Sequence, residues 1–379
     1  MGLSRKRLVG LTIALFILLY LAAPALYLTL SGEFSSTAYI VLLRTSPLVW
    51  GRLLSSVKGV DCQTKDTMFQ LLSDTPEVYW SIAVETISEA PRSMLEDTIC
   101  VLSVVNPEEW QLVRDAVKLY LAGYTPFTPP SEQLKHEYVE PLPISGEEPV
   151  LDWRYMVYIF TYRLVYDKAD AWEAAEAICG YVHKYLTYDT AFWHRRSPKT
   201  LIRQRRGTCT NFSILFVAMC RAMGIPARLV RDNSISSVTH AWSEFYLEGR
   251  GWVHVDPTAG YFDYPQAYLL EWGYRYHLVK AFSPLRGWID VTPSYVADYG
   301  VVAGVVKLDG EPVAGAEVSI YYPENLRVLL TVETGGDGSF EFTAAEGVYI
   351  LEISYRGIAK TLTVTVKADK TIKVEINLN

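Results

Sequence analysis

Residues 206–228 read RGTCTNFSILFVAMCRAMGIPAR and residues 239–258 read THAWSEFYLEGRGWVHVDPT. In the first stretch Phe212, Leu215, Phe216, Met219 and Met223 recur at helical spacing, so a helix is predicted from Cys209 to about Met223. Gly224 and Pro226 terminate it. The second stretch alternates with period two. His240 to Leu247 and Trp252 to Val255 are predicted strands, joined by the turn Glu248-Gly249-Arg250-Gly251. Ala227 to Val230 is a further strand. Helices first and antiparallel strands after predict an α+β domain.

Cys209 opens its helix behind Gly207 and Thr208. The helix dipole and the unsatisfied amides at that end favour a thiolate, as do Arg203, Arg205 and Arg206 just upstream. Gly207 allows close approach of a substrate to the backbone, and the Cys209 amide is placed to serve an oxyanion. His240, Trp242, Glu244 and Tyr246 share one strand face, as do Trp252, His254 and Asp256 on the returning strand. Ala241, Phe245 and Leu247 form the expected core face, with Ser243 as the polar exception. Folding the hairpin about residue 248 sets His240 opposite Asp256. Nucleophile, general base and orienting carboxylate are then Cys209, His240 and Asp256. Each residue alone reads more readily as structural. The combination is the informative feature.

The stretch from about Tyr181 to Gly260 resembles the transglutaminase-like superfamily, which is related to papain-like cysteine proteases. Arg206-Gly207-Thr208-Cys209 matches its nucleophile motif and Thr239-His240-Ala241-Trp242 its histidine motif. Gly251-Trp252-Val253-His254-Val255-Asp256-Pro257-Thr258 matches its aspartate motif. The resemblance implies a cysteine-protease-like core and acyl transfer through the triad. Tyr188, Trp193 and Gln204 are the candidates for a side chain that stabilises the oxyanion, with Tyr188 preferred. His194 and His254 read as structural or surface residues. No metal and no cofactor is expected.

Upstream, Arg5, Lys6 and Arg7 precede an uncharged run from Leu8 to Leu30. As a helix this run is about 34 Å long, enough to cross a hydrocarbon core of roughly 30 Å. The basic flank predicts a single-pass anchor with residues 31–379 extracytoplasmic, and the membrane as a partner through residues 8–30. A cleaved signal peptide is the alternative, given Ala22, Ala23 and Ala25. The length of the run favours the anchor.

The expected organisation is a basic flank and anchor at 1–30, a mostly helical region at 31–123, a proline-rich connector at 124–150, a catalytic domain at 151–300 and a β-sandwich at 301–379. Asn106-Pro107-Glu108-Glu109 is a helix start, followed by Trp110, Val113, Val117 and Leu121, with Gly123 as the stop. Periodic apolar residues predict two more helices, one from Trp153 to Leu164 and one from Trp172 to near Tyr188. After residue 300, short strand-like runs are separated by turns such as Asp309-Gly310 and Arg356-Gly357, the pattern of a small sandwich. Glu311 to Ala316, Thr334, Asp337, Gly338 and Gly347-Val348-Tyr349 resemble carboxypeptidase-regulatory, prealbumin-like modules. The resemblance implies a stalk, a stabiliser or a surface for a cell-surface ligand.

The chain carries a net charge of -7, which argues against nucleic-acid binding. Of the five cysteines, Cys62 and Cys100 are the pair available for a disulfide. Cys179 and Cys220 fall on apolar helix faces as buried thiols. The expected function is a membrane-anchored cysteine hydrolase acting on a peptide or protein substrate at an amide bond. Two alternatives stand beside it: a cross-linking acyltransferase, and a catalytically silent surface module. No calcium-binding carboxylate cluster accompanies the core to favour the cross-linking reading.

Overall fold

The computed structural model describes residues 97–98, 101, 104–141, 151–192, 194–234, 240–263, 276–323 and 327–379. The run at 8–30, the cysteines Cys62 and Cys100, and Trp193 lie outside them.

Two compact units are present, and residues 154–166 belong to the first together with the described residues up to Pro126. This unit contains helix α1 (Trp110–Leu121), entered through a 3-10 turn at Pro107–Glu109. The Asn106 amide donates to Glu109 Oε2 at 3.2 Å, which is the back half of a capping box. Val113, Ala116 and Val117 form the buried stripe of α1. Arg163 reaches Glu109 Oε1 at 2.6 Å, and Tyr158 donates its hydroxyl to the Tyr124 carbonyl at 2.7 Å.

The second unit comprises residues 127–153 and 167–379. Helix α2 (Glu132–Tyr138) falls inside the proline-rich stretch. It is a short helix capped by the Ser131 hydroxyl, which accepts from the Leu134 amide. Helix α3 (Met156–Val165) belongs to the first unit. Helices α4 (Ala171–Tyr185), α5 (Pro198–Gln204) and α6 (Cys209–Ala222) follow in the second. Strands β1 (Thr187–Tyr188) and β2 (Arg206–Gly207) form a two-residue parallel bridge just before α6.

A six-stranded sheet holds the rest of the core. Its strands are β3 (Ala227–Ser234), β4 (Ala241–Leu247), β5 (Gly251–Asp256), β6 (Tyr261–Phe262), β7 (Tyr276–Ser283) and β8 (Gly287–Asp290). They are ordered β6-β5-β4-β3-β7-β8. Every residue of α6 from Thr210 onward is buried, and Ser243 hydrogen-bonds the Ser213 carbonyl across the helix–sheet contact. The face of β4 opposite the expected core face is also covered: Trp242 is 5% exposed and Glu244 0%. Tyr138 of α2 packs edge-on against Trp252 on that side, and Tyr295 against Trp242. The register also differs from expectation. Ser243 lies opposite Val255 and Leu247 opposite Gly251, so the hairpin turns about Gly249. Continued past Ser243, this register sets Asp256 level with Trp242, one pleat away from His240.

The C-terminal part is built from β9 (Tyr299–Leu308), β10 (Glu311–Pro312), β11 (Glu317–Tyr322), β12 (Arg327–Glu333), β13 (Ser339–Ala345), β14 (Gly347–Tyr355), β15 (Ile358–Val366) and β16 (Thr371–Asn377). They form two four-stranded sheets. Val302, Val306, Val318, Ile320, Phe342 and Leu351 fill the space between them. Leu278 of β7 is part of the same apolar cluster, and Asp290 accepts from the Thr343 hydroxyl at 2.6 Å.

The expectation of a membrane-spanning helix before this α+β core is corrected. Among the described residues no helix is long and apolar enough to cross a membrane. The run that suggested an anchor, residues 8–30, lies outside them. The extracytoplasmic placement of residues 31–379, the membrane as a partner and the cell-surface setting of the sandwich all rested on that run, and they are withdrawn with it.

Candidate active site

Three of the sequence-predicted residues are brought together at the start of α6. Thr208 enters the helix extended, at φ -90° and ψ 178°, and makes no side-chain cap. The Asn211 and Phe212 amides donate to the Thr208 carbonyl at 2.8 and 3.0 Å, which leaves the Cys209 and Thr210 amides at the open end of the helix. The His240 side chain and the backbone N–H groups of Ala241 and Thr210 face the Cys209 sulfur and favour its thiolate. Burial pushes the half-buried thiol's pKa up, but the His240 contact and these two amides outweigh it and hold it below the ordinary value.

His240 is 7% exposed, and its Nε2 meets Asp256 Oδ2 at 2.7 Å. That leaves Nδ1 as the nitrogen for the sulfur. Burial disfavours the imidazolium. The Asp256 carboxylate and the Cys209 sulfur reverse this and raise the His240 pKa to about 10. Asp256 is fixed on its far side, where Oδ1 accepts from the amides of Thr258 at 2.9 Å and Ala259 at 3.3 Å. The Asp-before-Pro turn that read as structural thus holds the carboxylate in place. The arrangement can pass a proton from thiol to imidazole in a site partly shielded from water.

The three oxyanion candidates separate. Tyr188 sits in the β1–β2 bridge opposite Gly207, and its phenol pKa is raised by partial burial and by the nearby Cys209 charge. Gln204 ends α5 exposed to solvent. Trp193 is outside the described residues.

Several residues with no local sequence signal support the site. Asn211, fully buried, donates from Nδ2 to the carbonyls of Phe192 and His194 and accepts the Arg196 amide. It ties the loop before α5 to the nucleophile helix. The buried Asp232 accepts the His240 amide at 2.7 Å, and its own amide donates to the His240 carbonyl. His254 pairs with Glu244 at 3.2 Å and stacks on Tyr295.

Residues 160–257 match the family model of the Transglutaminase-like superfamily. The matched stretch holds Cys209, His240 and Asp256. The chain is 33% identical over 118 residues to peptide-N(4)-(N-acetyl-beta-glucosaminyl)asparagine amidase of Gallus gallus, covering 31% of this chain and 16% of that protein. It is 31% identical over 154 residues to protein png-1 of Neurospora crassa, covering 38% and 34%. The chain therefore spans only about a third or less of the length of these relatives. Red sea bream transglutaminase aligns with it at a TM-score of 0.26 and 11% identity, over 55% of each chain. That likeness is too low to carry an argument. The expectation of an enzyme of the transglutaminase-like cysteine amidase or protease class is upheld by the family match and the two curated relatives. The name of the Gallus gallus relative speaks of an amidase, and neither name speaks of a carboxypeptidase-regulatory sandwich.

Proposed function

We propose that the transglutaminase-like core hydrolyses an amide through a thioester on Cys209, with the side-chain amide of glycosylated asparagine as its substrate. The observation that carries the chemistry is the thiol at the start of α6 beside an imidazole that a carboxylate holds. The relative named as a peptide-N(4)-(N-acetyl-beta-glucosaminyl)asparagine amidase supports the substrate. In this reading Cys209 Sγ attacks the amide carbon, and His240 gives its proton to the departing glycosylamine nitrogen as the C–N bond breaks. The tetrahedral oxyanion takes hydrogen bonds from the Cys209 amide and the Tyr188 hydroxyl. Water, deprotonated by His240, then cleaves the thioester and leaves aspartate. Asp256 stays ionised throughout and orients the imidazole. The carboxypeptidase-regulatory resemblance of the sandwich supports a stabilising role for it beside the core.

The test is mass spectrometry on a glycopeptide, its unglycosylated counterpart and an added primary amine. The reading expects free glycosylamine, conversion of asparagine to aspartate, and no product from Cys209→Ala. Incorporation of the amine in place of water would make the protein a cross-linking acyltransferase. Cleavage of the unglycosylated peptide backbone alone would make it a protease. Full turnover by Cys209→Ala would remove the thioester mechanism altogether.

A further inference from the structure

On the face of the sheet away from α6, a buried chain of hydrogen bonds runs from a carboxylate to an indole that stacks on the imidazole of the candidate site. Glu244 Oε2 accepts from Arg228 Nε at 2.6 Å. Its Oε1 accepts the Tyr295 hydroxyl at 2.6 Å, with His254 Nε2 at 3.2 Å. Tyr295 Oη in turn accepts the Trp242 indole N–H at 2.9 Å. The Trp242 ring then stacks on the His240 ring, centroids 5.9 Å apart and planes 18° from parallel. Arg228, Trp242, Glu244 and Tyr295 are all at most 8% exposed.

The direction of this chain is fixed by chemistry. A carboxylate only accepts, and an indole N–H only donates, so the phenol must donate to Glu244 and accept from Trp242. The orientation of the indole is thereby set by a residue 53 positions away in sequence. His240 has Asp256 on Nε2 and the sulfur at Nδ1, and Asp232 holds its backbone. The remaining freedom of the imidazole is a tilt about the Asp256 hydrogen bond, which would carry Nδ1 away from the sulfur. The indole plane lies against the ring and opposes that tilt.

We infer that Tyr295 is a positioning residue for His240, acting through Trp242. The inference rests on the reading of Cys209 and His240 as the reactive pair. Packing alone does not account for the hydroxyl. The Tyr295 ring stacks on His254 at 4.4 Å and meets Trp242 edge-on at 5.1 Å, and a phenylalanine would keep both contacts. Glu244 would still hold Arg228 and His254, so Tyr295→Phe retains its buried ion pair.

The experiment follows the pH dependence of Cys209 alkylation by iodoacetamide, together with kcat on the glycopeptide, in the full chain. Tyr295→Phe is expected to lower kcat about tenfold and to move the acid limb of the alkylation profile up by about one pH unit, the shift that corresponds to a tenfold change. Trp242→Phe keeps an aromatic ring over His240 and loses the N–H, so it should reproduce both effects. The double variant should be no worse than either single one, since all three break one chain. Additive losses, or a Tyr295→Phe profile superposable on the wild type, would overturn the inference. A wild-type profile that titrates as an ordinary thiol and is unchanged in His240→Ala would instead overturn the reading beneath it.

Discussion

Asp256 meets His240 with one oxygen, Oδ2 to Nε2 at 2.7 Å, while its other oxygen is held by the amides of Thr258 and Ala259. The two backbone donors fix which oxygen faces the imidazole. In Asp256→Asn the amide oxygen will keep those donors, and the NH₂ group will face Nε2. Nε2 must then accept, which puts the ring hydrogen on Nδ1, where the thiol proton should go. We expect kcat to fall by about 10²–10⁴-fold, the scale of losing a correctly oriented base, with binding and melting temperature largely unchanged. Steady-state kinetics beside a thermal melt checks this. A variant with near-normal kcat would remove Asp256 from the mechanism.

The pH profile follows from the same pair. The Cys209 pKa lies below the ordinary thiol value and the His240 pKa is raised to about 10. The imidazolium's contribution is complete below the ordinary histidine range and is lost as pH rises through about 10. The thiolate's contribution is present above the ordinary thiol value and is lost as pH falls through the depressed one. The imidazolium is therefore present across neutral pH, and amide hydrolysis needs it to protonate the leaving nitrogen. On the alkaline side activity should decline near pH 10. A decline at the ordinary histidine value would show that the imidazole is not held charged.

Tyr188 is the oxyanion candidate whose surroundings register the sulfur's charge. Its bridge to Gly207 sets it two residues from the nucleophile in the neighbouring strand. Loss of one oxyanion donor costs about 10²–10³ in kcat. Tyr188→Phe is expected to show a loss of that order while Cys209 alkylation proceeds at the wild-type rate. Equal loss in both assays would mean that Tyr188 acts on the thiolate rather than on the transition state.

The motifs around Cys209 and His240 were legible because their signals are local: a helix face in 209–223 and a two-residue period in 240–255. What lay beyond the sequence was whatever depends on a second covering layer. Strand β7 carries Leu278, Val279, Ala281 and Phe282 all buried, so both faces are apolar and the alternation that reveals a strand is absent. Glu244 was placed opposite the expected core face, and its burial was missed for the complementary reason. Its alternation was clear, but Arg228 and Tyr295, which make its burial tolerable, come from other elements. Asn211 and Asp232 act by holding backbone groups, which leaves no motif. The hairpin register was missed because Gly249 and Gly251 both adopt positive φ, 80° and 81°, and the turn is centred one residue later than the expected position.

Gly207 carries a steric constraint that can be tested directly. A Cβ there would lie 2.5 Å from the Asn211 Cβ and 3.0 Å from its Nδ2. Asn211 cannot retreat without releasing Phe192, His194 and Arg196. Gly207→Ala should therefore displace the loop before α5 and the start of α6 together. The expected cost is about 1–3 kcal/mol of stability, the usual scale of overpacking, with a fall in kcat/KM of at least about tenfold. Denaturant titration and kinetics on the same preparation check it. A variant that matched wild type in both would mean that the loop accommodates the methyl group.

Glu244 offers the sharpest stability test. Burial would raise its pKa, but Arg228, His254 and Tyr295 bring it down to about 2. Because the folded value lies below the ordinary one, the contribution to stability is present above the ordinary carboxylate range and is lost as pH falls through about 2. Glu244→Gln removes the charge and leaves the Arg228 guanidinium, 5% exposed, without its counter-ion. Removing one partner of a buried pair costs about 3–5 kcal/mol, more than the pair itself need contribute. Urea titrations at several pH values should show that loss near neutrality. The gap should narrow toward pH 2, since acid then neutralises the wild-type carboxylate as well. A gap that is small at neutral pH, or constant down to pH 2, would show that the carboxylate is not the anion that Arg228 and Tyr295 are built around.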